Sequence, residues 1–166
     1  MHPGTWPSVE IARLERSLKA LVKLVDEQAR SGSDDVVREL SRFLVIRSCG
    51  LVEQIAEECC RSYLRSKSDP RSSSFGQSWL GRGANPSPGN LVKLVSRFDP
   101  RWADDLNHLF DADDELLKRE LVFLVDRRNK IAHGLSEGIG ARKALDLADI
   151  ALAVSGWFTA TVNPTA

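Results

Sequence analysis

Apolar residues recur at three- and four-residue intervals along nearly the whole chain, the spacing of helices with one buried face. Ile11, Leu14, Leu18, Leu21, Val22 and Val25 form the first such stripe, and Ser8 ahead of it suits an N-cap. Ser31-Gly32-Ser33 breaks the pattern, after which Asp34 and Asp35 stand where a second helix presents its positive end. Val37, Leu40, Leu44, Leu51, Ile55 and Tyr63 carry that helix over a long span. Leu91, Val92, Leu94 and Val95 mark a short helix that stops at Asp99-Pro100. Proline at a first helical position then opens another piece, with Trp102, Leu106, Leu109 and Phe110. A helix over about 113–133 contains Leu121-Val122-Phe123-Leu124-Val125, apolar on every side, which places its middle at the centre of the fold or in an interface. A last helix, over about 140–162, runs through Ile150-Ala151-Leu152-Ala153-Val154 to Trp157 and Phe158. No strand pattern and no internal repeat competes. The pattern predicts an all-α protein, an antiparallel bundle of four long helices with additional short helices.

The exception is the stretch over about 67–89, rich in Ser, Gly, Pro and Arg. A loop this long inside a compact domain is usually functional or hides a short element. Phe75, Trp79 and Leu80 predict a helical turn pinned to the core. Gly81-Arg82-Gly83 resembles a fragment of a phosphate-binding loop, but no strand precedes it and its spacing is wrong, so that reading is discarded. Residues 1–166 are expected to form one domain, long enough to bury a proper core.

Composition narrows the function classes. With 42% hydrophobic and 28% charged residues the chain is neither disordered nor fibrous. A formal net charge of zero argues against a non-specific DNA coater, which needs surplus cations. The zero hides an asymmetry: from Arg61 to Arg101 eight basic residues face only Asp69 and Asp99, a net of +6. From Trp102 to Asp126 eight acidic residues face only Lys118 and Arg119, a net of −6. Either the cationic segment tracks a phosphate backbone, or neighbouring elements neutralise each other. Arg97-Phe98-Asp99-Pro100-Arg101-Trp102 interleaves cations and aromatics as a base-stacking segment does, although the helical spacing of its rings favours core anchoring. Cys49, Cys59 and Cys60 have neither metal-ligand spacing nor an even count for disulfides; they fall in an apolar helical pattern and fit a reducing cytoplasm. No signal peptide and no membrane span is expected.

One segment reads as chemistry rather than packing: Arg128-Asn129-Lys130-Ile131-Ala132-His133-Gly134. It places an arginine, a polar residue and a histidine at the exit of an apolar helix. An imidazole that titrates near neutral pH beside a fixed positive charge suits acid–base work on a phosphodiester. On a helical wheel Leu117, Leu121, Leu124, Val125, Ile131 and Ala132 share an arc with Arg128 near its middle. An arginine there needs a partner, either a carboxylate such as Glu53 or a cleft against another chain. Arg128 and His133 diverge by about 140° and about 7.5 Å of rise on an ideal helix, so convergence needs a loosened last turn, a long arginine reach or, the favoured reading, two copies facing each other across a two-fold axis. The competing reading is a helix cap: histidine followed by glycine closes a helix well, and a protonated histidine complements the dipole.

Arg128-Asn129-Lys130-Ile131-Ala132-His133 matches the R-x4-H signature of HEPN domains, with Asn129 as the polar residue that typically follows the arginine. Arg47-Ser48-Cys49-Gly50-Leu51-Val52-Glu53, Phe98-Asp99-Pro100-Arg101-Trp102 and Ile131-Ala132-His133-Gly134 resemble the single-domain RiboL-PSP subgroup, and the similarity spans roughly Ser33 to the C-terminus. The resemblance implies a metal-independent endoribonuclease working as a homodimer, with no cofactor, in a toxin–antitoxin, stress or antiviral role. In that scheme His133 handles the proton of the ribose 2′-hydroxyl or the leaving 5′-oxygen. Arg128 binds the scissile phosphate, and Asn129 orients the phosphate or the histidine. RNA is then the substrate, and an antitoxin or other partner protein fits the same role. Leu135 stands where HEPN toxins silenced by a partner nucleotidyltransferase carry tyrosine, so that control is not implied. The alternative is a HEPN-like module without catalysis that dimerises and binds RNA, nucleotide or a partner protein. A plain structural bundle in which Arg128 pairs with Glu53 also stays open, with Glu53 and Arg47 bracing the second helix.

Overall fold

The computed structural model describes residues 5–81, 84–135 and 138–166, and among these the regular structure is helical with no strand. Four long helices make the frame: α1 (Val9–Ser31), α2 (Asp34–Lys67), α6 (Leu116–Ala132) and α7 (Ala141–Thr161). Three shorter ones, α3 (Pro70–Gln77), α4 (Pro88–Ser96) and α5 (Pro100–Asp111), fill the long connection between α2 and α6. The boundaries follow local chemistry. Ser8 accepts a hydrogen bond from the Ile11 N–H at 3.3 Å and starts α1, and Gly32 ends it. α3, α4 and α5 open alike, with Asp69, Ser87 and Asp99 as N-caps and a proline directly after each.

α2 is the central element. At 34 residues it is about 50 Å long, and it packs against α1, α6, α7 and α3. Its most extensive contact is with α7, and both helices bury small side chains: Ser41, Ser48 and Ala56 on α2, Ala144, Ala148, Ala151 and Ser155 on α7. Small residues let two long helices approach closely. Around them Ile11, Leu44, Ile55, Leu106, Phe110, Leu121, Leu124 and Phe158 are fully buried, each side chain contributing roughly 1.5–3 kcal/mol of transfer free energy. Cys49, Cys59 and Cys60 sit inside this core as free thiols. Burial pushes the Cys59 thiol up to about 12 and raises Cys60 as well, so both stay protonated and act as small apolar groups.

Three expectations need correction. Of the two places expected for the five-residue apolar run of α6, centre or interface, the centre is excluded: Leu121, Leu124 and Val125 are buried, but Val122 is 53% exposed. Phe123 is half-buried, with the Arg127 guanidinium and the Lys143 ammonium over its ring. α2 holds the centre instead because it is long enough to touch every other long helix. Second, α6 begins at Leu116 rather than near 113. Asp113, Asp114 and Glu115 take positive φ values of 50°, 55° and 59° in a 3₁₀ turn, a reversal that the short aspartates tolerate better than most residues. Third, the turn expected over 67–89 exists as α3, yet of its apolar residues only Leu80 packs on the core. Phe75 and Trp79 are exposed and meet each other edge-on at 6.3 Å. Gly76 sets α3 against α2, since a Cβ there would come within 3.0 Å of the Leu64 side chain. In the discarded phosphate-loop fragment Arg82 and Gly83 lie outside the described residues.

The ring-rich segment around Asp99 anchors the fold. Trp102 meets Tyr63 of α2 edge-on at 5.0 Å and stacks with Phe98 at 6.3 Å, while Arg101 is exposed and pairs with Asp99 at 2.7 Å. Among the described residues no ion pair joins the basic and acidic halves of the middle segment. Arg61 and Arg65 pair with Glu57 and Glu58 of α2, while Glu120 pairs with Lys143 and Asp126 with Lys130. Among the described residues no helix is long and apolar enough to cross a membrane.

Candidate functional site

The last two turns of α6 carry the candidate residues, and the way the helix ends sets their directions. Gly134 takes φ +72°, the left-handed conformation that closes a helix, with its N–H bonded to the Ile131 carbonyl and the Leu135 N–H to the Lys130 carbonyl, both at 3.0 Å. That pair of bonds is a Schellman motif. His133 is its C-cap residue, and its backbone N–H still bonds to the Asn129 carbonyl. The imidazole is exposed and has no hydrogen-bond or ion-pair partner among the described residues.

Arg128 turns the other way, toward α2. It is half-buried, its Nη2 lies 3.7 Å from Glu53 Oε2, and its Nη1 donates to Asn129 Oδ1 at 3.1 Å. It also reaches the buried Cys49 thiol one turn before Glu53. Burial raises that thiol, and the hydrogen bond and charge of the guanidinium pull it partly back. Cys49, which the sequence suggested only as a small hydrophobe, therefore forms part of the arginine's seat; the signal was its i, i+4 relation to Glu53 on the same helix. A guanidinium has five N–H donors, and the carboxylate beyond hydrogen-bond distance leaves much of that capacity unused. Both ion-pair partners keep 29% of their side-chain surface exposed, so the pair is a screened one and not a sealed internal brace.

On the arc that the wheel assigns, Leu121, Leu124, Val125 and Ile131 are buried, while Ala132, in the last turn of the helix, is exposed. Asn129 bonds to Arg128 and not to His133. Arg47 reaches Ser17 of α1 at 3.4 Å and ties the two helices. Within one chain no hydrogen bond or ion pair joins Arg128 to His133; five residues apart, they leave α6 on different sides. What the chain does hold is a half-exposed guanidinium and an exposed imidazole on consecutive turns of one helix. Among the described residues no three His, Cys, Asp or Glu side chains gather as a metal site.

Sequence reasoning missed a cleft on the far side of Glu53. It has a volume of about 290 Å³, and Glu53, Trp79, Asn85, Asn90, Lys93 and Arg97 line it. Its only sequence signal was the i, i+3, i+7 spacing of Asn90, Lys93 and Arg97, on α4 and its C-cap.

A bundle of long helices whose penultimate long helix ends in arginine, polar residue and histidine at R-x4-H spacing is the arrangement of HEPN domains. The profile of the RiboL-PSP-HEPN family matches residues 10–155, and the chain belongs to that family. No curated protein and no solved structure matches it.

Proposed function

We propose that residues 1–166 act as one HEPN-like domain and that the protein is a metal-independent endoribonuclease, active as a homodimer. The observation that carries this reading is the exposed His133 imidazole, fixed at a capped helix end next to the half-exposed Arg128. The chemistry divides between them. His133 takes the proton of a ribose 2′-hydroxyl, and the 2′-oxygen attacks phosphorus. The bond to the 5′-oxygen breaks, and that oxygen collects a proton. The products are a 2′,3′-cyclic phosphate and a 5′-hydroxyl. Arg128 stabilises the charge that builds on the phosphorane, with Asn129 holding the guanidinium in place.

Dimerisation resolves the divergence of the pair. Val122, Asp126, Asn129 and His133 share one stripe of α6, and Val122 leaves apolar surface there. Val36, Phe43 and Ile46 are exposed on α2, with Phe43 and Ile46 on the side that runs on toward Glu53. A two-fold axis between such faces sets the His133 of one protomer opposite the Arg128 of its partner. A toxin–antitoxin, stress or antiviral setting, with an antitoxin or another partner protein, fits such a nuclease.

The formal net charge of zero favours one other reading, a HEPN-like module that dimerises and binds RNA, nucleotide or protein without cutting, while the Arg128–Glu53 ion pair is that of a plain structural bundle, which does not cut either. A cleavage assay separates the two. Wild type is expected to cut single-stranded RNA in the presence of EDTA. His133→Ala and Arg128→Ala lower the rate at least 100-fold, the scale of a lost acid–base group, without a large fall in melting temperature. Equal RNA degradation by wild type and His133→Ala sinks the nuclease reading.

A further inference from the structure

The cleft beyond Glu53 has the chemistry of a nucleotide pocket. At about 290 Å³ it lies at the small end of the ~300–1,000 Å³ range of ligand clefts, room for one nucleotide. Trp79, half-exposed, is one of the lining residues and brings an aromatic ring to the cleft. Asn90 donates to the Asn85 carbonyl at 2.9 Å and to Asn85 Oδ1 at 3.0 Å. Those bonds hold both amides still and leave the Asn90 side-chain carbonyl without a protein donor among the described residues, an acceptor for a base edge.

The charges in the cleft point the same way. Its carboxylates are answered from outside it, Glu53 by Arg128 at 3.7 Å and Glu57 by Arg61 at 3.6 Å. Its cations are not: Lys93 on α4 and Arg97 at its C-cap are exposed and have no ion-pair partner among the described residues. An aromatic ring, a fixed amide and two uncommitted cations suit an unpaired base with its phosphate. An acidic peptide would use the cations and leave the aromatic ring and the amide idle.

We propose that this cleft is a nucleotide subsite that seats one unpaired nucleotide of the RNA beside the scissile phosphate. The inference rests on the ribonuclease reading for the identity of the chain that enters it. Glu53 is the link: it lines the cleft, and its carboxylate lies 3.7 Å from Arg128, the phosphate ligand of the cleavage scheme. A strand that places its scissile phosphate on Arg128 thus has its neighbouring base at the mouth of the cleft.

The test uses the full chain and a fluorescein-labelled, mixed-sequence 2′-O-methyl octanucleotide, which binds but cannot be cut. Trp79→Ala and the double variant Lys93→Gln/Arg97→Gln should each raise the Kd about tenfold, as the loss of one base stack does, with unchanged melting temperature. Lys19→Gln, in a separate cleft between α1 and α7, should leave the Kd as it was. Wild-type binding that ignores Trp79→Ala, an equal loss in Lys19→Gln, or displacement by polyglutamate as readily as by RNA would each overturn the subsite. Cleavage of unmodified RNA is followed in parallel, where Trp79→Ala should raise KM and spare kcat. Trp79-dependent binding with no cleavage removes the nuclease and keeps the subsite; cleavage with an unchanged KM in Trp79→Ala does the reverse.

Discussion

Arg128 and Asp99 show how a charged side chain is spent in this protein. Arg128 sits among Cys49, Glu53 and Asn129, held by a distant carboxylate and one amide, so a phosphate can compete for it. Asp99 is fully committed: it accepts the Arg101 backbone N–H at 2.9 Å as the α5 cap and pairs with the Arg101 guanidinium at 2.7 Å. The Arg101 side-chain hydrogen bond, seconded by the backbone bond, holds the Asp99 carboxyl below the usual carboxylate range. A depressed carboxyl stabilises the fold above its unfolded value of about 3.9, and that stabilisation is lost as pH falls through the folded value. Asp99→Asn keeps a capping oxygen but removes the titration. Its melting temperature should fall below that of wild type at neutral pH, and the two should converge as the pH drops toward 2. A constant difference across that range, followed by circular dichroism, would show that the charge of Asp99 contributes nothing.

At the scale of the helices, most of the architecture was legible because buried faces repeat at helical spacing and caps have chemical signatures. Ser8, Gly32 and Pro100 mark ends that the structure reproduces; Pro70 and Pro88 open helices in the same way, and the sequence reading passed over them. The misreadings share a cause: apolar character does not say which way a side chain faces. Phe75 and Trp79 read as core anchors and are exposed; Val122, read as central or in an interface, faces out. The three positive-φ residues ahead of α6 carry no glycine to announce them. In the site, R-x4-H was legible as a motif, whereas the seat of Arg128 depends on which turn of α2 lies opposite, and that is a tertiary fact. Gly134 is the position where element geometry bears on chemistry. A Cβ there meets nothing within 4 Å, so the cost of Gly134→Ala is the left-handed φ itself, about 1–2 kcal/mol. Thermal unfolding should show that loss, and RNA cleavage should fall with it as the His133 turn loosens. Full stability in the variant would mean that the Schellman closure does not restrain the end of α6.

For the whole molecule, the account turns on a second copy of the chain, because one chain sends Arg128 and His133 in different directions. Light scattering at micromolar concentration should give twice the 18.4 kDa chain mass. Phe43 is exposed in the single chain, so Phe43→Glu should leave the fold intact, shift the mass to that of a monomer and abolish cleavage together with the dimer. A wild-type protein that is monomeric yet cleaves RNA would remove the shared cleft.

The most direct measurement is the chemistry of the cut end. Purified protein in EDTA, given single-stranded RNA, should leave 2′,3′-cyclic phosphate and 5′-hydroxyl termini that mass spectrometry resolves. The same sequence in DNA should stay whole, and His133→Ala should leave the RNA whole. Products with 3′-hydroxyl ends, cutting of the DNA strand, or identical ends from His133→Ala would contradict the claim that His133 and Arg128 act together on a ribose phosphate.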